Sequence, residues 1–73
     1  MTDLTAATID AWTRWDRLPG AESTAGALAD ALGELAAELG VPSNELRAAI
    51  RVHRRNGLGI PESVRAAVEG ASS

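Results

Sequence analysis

Three interruptions constrain this chain more than anything else in it. Pro19-Gly20, Gly40 and Asn56-Gly57 cut its 73 residues into four short runs. A proline–glycine pair, or a glycine directly after an apolar run, is a strong stop signal for a helix. Between the stops, apolar residues recur at three- and four-residue spacings, and no stretch alternates apolar and polar side chains for long. β-Branched residues are sparse, alanine is abundant, and Trp12 and Trp15 are the only aromatics. Strands need the opposite composition. The expected fold is therefore all-α: a compact bundle of four short helices, forming one small domain over residues 1–73.

The first helix is expected from about Thr5 to Leu18, stopped by Pro19-Gly20. The second starts after Ser23 or Thr24, either of which supplies an N-cap hydroxyl, and stops at Gly40. The third opens at Ser43 with Glu45 in its first turn. It closes with Arg54 and Arg55 before Asn56-Gly57, so its charges suit the helix dipole at both ends. The fourth begins at Pro61, a residue well placed in a first turn, and ends near Gly70, with Ala71, Ser72 and Ser73 fraying.

The pattern within each run predicts its buried face. Leu28, Leu32, Leu35 and Leu39 follow a 4-3-4 spacing and form one narrow stripe on the second helix. That stripe reads as core, with a coiled-coil-like dimer seam as the alternative. Asp30, Glu34 and Glu38 lie across from it, as a solvated face or as a docking strip for a basic partner. On the first helix, Leu4, Thr8, Ala11, Trp12, Trp15 and Leu18 share a broad face. The two tryptophans read as the bulk of the core, although one left exposed would anchor an interface.

Size and composition exclude several classes of function. A chain this short builds a marginal core, and with no cysteine it has neither a disulfide nor a thiolate zinc site to support it. Self-association, as a homodimer, is the expected remedy. The single histidine, His53, removes His-rich metal sites and has no Ser or Asp partner at a signature spacing. It falls on the apolar side of the third helix and reads as a residue at the edge of the core. Gly57-Leu58-Gly59 is too short for a phosphate loop and follows a helix, not a strand. No enzymatic activity, cofactor, metal or small-molecule substrate is expected. No apolar run approaches the ~20 residues that cross a bilayer, and Met1-Thr2-Asp3-Leu4 lacks the basic start of a signal peptide. A cytoplasmic protein with no membrane partner is expected. All basic side chains are arginine, with none lysine, and together with the Ala and Gly richness this suggests a GC-rich coding genome such as an actinobacterial one.

The formal net charge is −3, unevenly spread. Residues 1–40 carry seven acids against two arginines, and residues 41–73 carry five arginines against three acids. Such asymmetry marks one face for an acidic partner or arises by chance in a short chain.

Residues 35–51 carry the most specific signal. Leu-Ala-Ala-Glu-Leu-Gly-Val-Pro-Ser-Asn-Glu-Leu-Arg-Ala-Ala-Ile-Arg is a helix, a tight glycine turn and a second helix. Ala36 is small where two helices must cross closely, and Gly40 supplies the positive φ of the turn. Val41, Leu46 and Ile50 are expected to bury against Leu35 and Leu39. Through Ala36, Leu39, Gly40, Val41, Leu46, Ala49 and Ile50, this stretch resembles the helix-turn-helix superfamily of DNA-binding proteins. The resemblance implies that Ser43 to Arg55 is a recognition helix, with Ser43, Asn44, Arg47 and Arg51 facing DNA. Helical geometry agrees: at 100° per residue, Arg54, Arg47, Arg51, Asn44 and Arg55 fall in that order within an arc of about 100°. Arginine pairs with guanine edges or phosphate, and asparagine reads adenine.

A second resemblance covers residues 54–68. Arg54-Arg55-Asn56-Gly57, Gly59-Ile60-Pro61 and Val64 look like the DNA-binding domain of actinobacterial xenogeneic silencers. Those proteins insert an Arg-Gly-Arg hook into the minor groove, whereas here Leu58 alone stands between the two glycines.

Two functional readings follow. The leading one is a small regulator of transcription that binds double-stranded DNA through Ser43, Asn44, Arg47, Arg51, Arg54 and Arg55, of the phage, plasmid or toxin–antitoxin kind. The alternative is a protein–protein interaction module, antitoxin-like, inhibitory or an assembly adaptor, whose arginine arc docks on an acidic surface. An acidic pI of about 4.9 favours the second, because non-specific DNA affinity comes mostly from positive charge.

Overall fold

The computed structural model describes residues 3–72, the side chain of Ser72 excepted. The readings of the extreme N-terminal start and of fraying at Ser73 lie outside the described residues. Four helices follow one another: α1 (Leu4–Arg17), α2 (Glu22–Leu39), α3 (Ser43–Arg55) and α4 (Ile60–Ser72). Among the described residues there is no strand.

Each boundary has a local cause. Asp3 caps α1, its carboxylate accepting from the backbone N–H groups of Thr5 and Ala6 at 3.1 and 3.2 Å. At the other end Leu18 has already left the helix (φ −132, ψ 65), because the ring of Pro19 disfavours the helical conformation in the residue before it. Leu18 thereby drops off the buried face expected of it and is 61% exposed.

The start of α2 also differs from expectation. Its N-cap is Ala21, without a side-chain hydrogen bond, and Ser23 and Thr24 lie inside the first turn. The hydroxyl of Thr24 works in the opposite sense to a cap. It donates backwards, toward the carbonyl oxygens of Ala21 (2.8 Å) and Leu18 (2.9 Å), and so bridges the α1–α2 turn. Glu22 supplies the negative charge that favours a helix N-terminus.

The ends of α2 and α3 share one device. Gly40 (φ 73) and Gly57 (φ 93) occupy the left-handed region that costs other residues about 1–2 kcal/mol. At the first, Val41 N–H reaches Ala36 O (3.0 Å) and Gly40 N–H reaches Ala37 O (3.3 Å). At the second, Leu58 N–H reaches His53 O (3.2 Å) and Gly57 N–H reaches Arg54 O (3.1 Å). Both are Schellman closures, which satisfy carbonyls left open by the last turn. Gly70 adopts no positive φ, so nothing stops α4 there. The helix runs on through Ser72, past the expected end, with Ala71 half-buried. At its start Ile60, one residue before Pro61, is the first helical position.

The leucine stripe is core. Leu28, Leu32 and Leu35 are buried and Leu39 half-buried, packed with Trp12 of α1, Leu46 and Ile50 of α3, and Val64 and Ala67 of α4. Ala36 is 2% exposed, as a close crossing requires. Two polar side chains are sealed in with them. The hydroxyl of Thr8 is satisfied by the carbonyl of Leu4 at 2.8 Å, whereas that of Ser63 has no partner among the described residues. The radius of gyration, 11.2 Å, is that of a well-packed chain of this length. α1 packs on α2 and α4, and α3 packs on α4 and α2, but α1 and α3 do not touch along their axes. That gap positions the candidate site.

Candidate functional site

α3 is anchored on one side only. Ile50 (0% exposed) and Leu46 (2%) fix its rotation, and the arginine arc is turned outward as a consequence. Ser43, Asn44, Arg51 and Arg55 are exposed, while Arg47 and Arg54, at the edge of the arc nearest the core, are half-buried. None of the four arginines lies within ion-pair distance of a carboxylate of the described residues, where the ion pair seen is Arg14 with Asp10. Arg54 is engaged differently: its Nη1 donates to the carbonyl oxygen of Leu58 at 3.0 Å. That bond holds the short loop between α3 and α4, the loop that carries no arginine of its own.

Because α1 and α3 stand apart, the arc borders a cleft floored by α2. Arg47 and Arg51 share a hollow of about 210 Å³ with Trp12, Trp15, Leu28 and Ala29. Arg51, Arg54 and Arg55 line its continuation of about 340 Å³, with Trp12, Trp15 and Asp16 opposite. Ser43, Asn44 and Arg47 line a third hollow, of about 240 Å³, against Ala29 and Leu32 of α2. The six residues expected from the sequence thus lie along one side of the molecule, in three adjoining depressions.

The tryptophans form the opposite wall. Their rings meet edge to face, 5.9 Å between centroids at 72°, a favoured aromatic geometry. Trp12 is buried and Trp15 half-buried. The sequence places both on the core face of α1 but gives no sign that they stand beside the arginines. That proximity comes from the pairing of α1 with α2, and no local spacing encodes it.

The acidic row lies elsewhere. At 100° per residue, Asp30, Glu34 and Glu38 project from the side of α2 roughly opposite Ala25 and Ala29, the residues that face the cleft. Asp16 is the carboxylate that lines one of the three basic depressions, the one of about 340 Å³. A separate, mostly apolar hollow of about 220 Å³ lies between α3 and α4, bordered by Val41, Leu46, Ala49, His53 and Ala67. His53 is half-buried there, at the edge of the core. Among the described residues no three His, Asp or Glu side chains converge as a metal site would need, and no helix is long and apolar enough to cross a membrane.

Compared with protein-family models, curated proteins and solved structures, this chain matches none.

Proposed function

We propose that the protein is a small, non-enzymatic DNA-binding regulator that presents α3 to duplex DNA. The observation that carries this reading is the arc of Asn44, Arg47, Arg51, Arg54 and Arg55, four cations on one helix face with no carboxylate of the described residues in ion-pair range. A basic face left without internal counter-charge is open to phosphate, and binding there releases counterions. The acidity of the whole chain works against this reading less than its pI implies, because the row Asp30, Glu34 and Glu38 points away from the cleft. Asn44 and Ser43 are exposed and free to reach base edges, while the arginines suit backbone contacts. One module of this size buries little surface, so operator-level affinity requires two half-sites and a homodimer.

The experiment is fluorescence anisotropy of the protein with labelled duplex DNA, from about 20 to 300 mM salt. The reading requires binding that weakens steeply with salt, as counterion release demands. No binding at the lowest salt overturns it.

A second reading has one observation in its favour. Val52, 52% exposed, sits beside the arginine arc on α3, and a large apolar side chain next to unpaired cations suits an acidic protein surface with an apolar centre. Under that reading the protein is an interaction module and is indifferent to DNA.

A further inference from the structure

We infer that the cleft between α1 and α3 is a phosphodiester site with an aromatic wall, in which Arg51 and Arg55 hold one backbone phosphate of the bound DNA against Trp12 and Trp15. This rests on the DNA reading above and extends it, since it makes α1 part of the interface. Neither the helix-turn-helix pattern nor the arginine arc assigns α1 such a role.

The first ground is an unused donor. Trp12 is 4% exposed, and a buried tryptophan ordinarily finds an acceptor for its indole N–H. Here no residue of the described chain accepts from it. The nitrogen is nevertheless not sealed off, because Ser63 Oγ alone is both fully buried and unpartnered among the described side chains. What little of Trp12 reaches solvent therefore includes its N–H. Trp12 lines two of the three basic depressions, so its ring forms part of the cleft wall.

The second ground is the opposing wall. Arg51 and Arg55 are exposed and unpaired, and both border the depression of about 340 Å³ that Trp12 and Trp15 also line. Guanidinium groups match the geometry of phosphate oxygens, and they bind planar rings by their faces. Arg54, at the same depression, has one donor held by Leu58 and so contributes a positioned charge.

The third ground sets the class of anion. Asp16 lines the same depression yet lies beyond ion-pair distance of all three arginines. It does not neutralise them, but its charge opposes the entry of a second negative group. The site therefore suits a singly charged diester, as in a nucleic-acid backbone, over a terminal phosphate.

Both tryptophans of the chain border the cleft, so intrinsic tryptophan emission reports on it directly. Duplex DNA is titrated into the wild-type protein and the Asp16→Asn variant at low salt, with emission and the anisotropy of labelled DNA followed together. Sodium phosphate alone is titrated in parallel. Asp16 is exposed, at the last turn of α1, so its replacement leaves the fold intact. The expected result is an emission change that tracks the anisotropy. Asp16→Asn should bind DNA about threefold more tightly at low salt, a gain that shrinks toward about 300 mM salt as the charge is screened. DNA binding by anisotropy with unchanged emission and no effect of Asp16→Asn overturns the inference and leaves the DNA reading standing. Saturation by inorganic phosphate with no response to DNA reassigns the cleft to free phosphate and overturns the diester assignment. An absence of any response in either titration overturns both.

Discussion

The guanidinium of Arg54 and the carbonyl oxygen of Leu58 meet at 3.0 Å, so an arginine of the basic face also secures the loop that leads into α4. A partly buried, charge-assisted hydrogen bond of this kind contributes about 1 kcal/mol. Arg54→Ala is expected to lower stability by that amount in urea unfolding. Arg54→Lys is expected to lose most of it too, since an ammonium group lacks the planar geometry that reaches the carbonyl. Equal stability of all three proteins would show that the bond holds nothing.

Gly40 and Gly57 are the two positions at which the backbone itself demands glycine, with φ of 73 and 93. A Cβ at either meets nothing within 4 Å, so the cost of substitution is conformational and not steric. Gly40→Ala and Gly57→Ala should each destabilise by about 1–2 kcal/mol, and Gly40→Asn by less, because asparagine tolerates the left-handed region. Thermal unfolding of the three variants checks the order.

Ser63 is fully buried, its hydroxyl unpartnered among the described residues. Burying such a group costs about 1–3 kcal/mol, and alanine is the better helix former. Ser63→Ala is therefore expected to raise the melting temperature by several degrees, at about 4–8 °C per kcal/mol for a domain of this size. A lower melting temperature would mean that the hydroxyl has a partner the geometry does not show.

Leu32, 1% exposed at the centre of the α2 stripe, is among the largest fully buried side chains of this small core. Leu→Ala changes at such sites cost about 2–5 kcal/mol. A chain of this length has about 4–11 kcal/mol in total, so Leu32→Ala should leave a measurable unfolded population by circular dichroism at 37 °C. The same change at Leu18, 61% exposed, should be nearly silent.

The fold was legible wherever the signal is local. Stops at Pro19, Gly40 and Gly57 set the helix count, and the leucine spacing on α2 identified the core face. The failures are also local, and each has a cause. Leu18 continues the helical pattern of α1 in sequence, but Pro19 turns its backbone away before that pattern is complete. Ser23 and Thr24 have cap chemistry, but the chain enters the helix two residues earlier, and Thr24 uses its hydroxyl as a donor. Asp3 does cap α1, one residue outside the run whose apolar spacing marked the helix. In the candidate site, the arc on α3 was legible because one helix contains it. The tryptophan wall was not, since Trp12 and Arg51 come together only through the packing of separate helices around α2.

The central claim is that the arginine arc of α3 binds DNA, and Arg47 with Arg51 tests it most directly. Anisotropy with labelled duplex DNA is measured for the wild-type protein and the Arg47→Ala/Arg51→Ala variant across the same salt series, with circular dichroism to establish that both are folded. The account predicts that the variant keeps its helical spectrum, binds at least about tenfold more weakly at low salt, and shows a salt slope shallower by about two. A folded double variant that binds DNA as the wild type does, with the same slope, would contradict it.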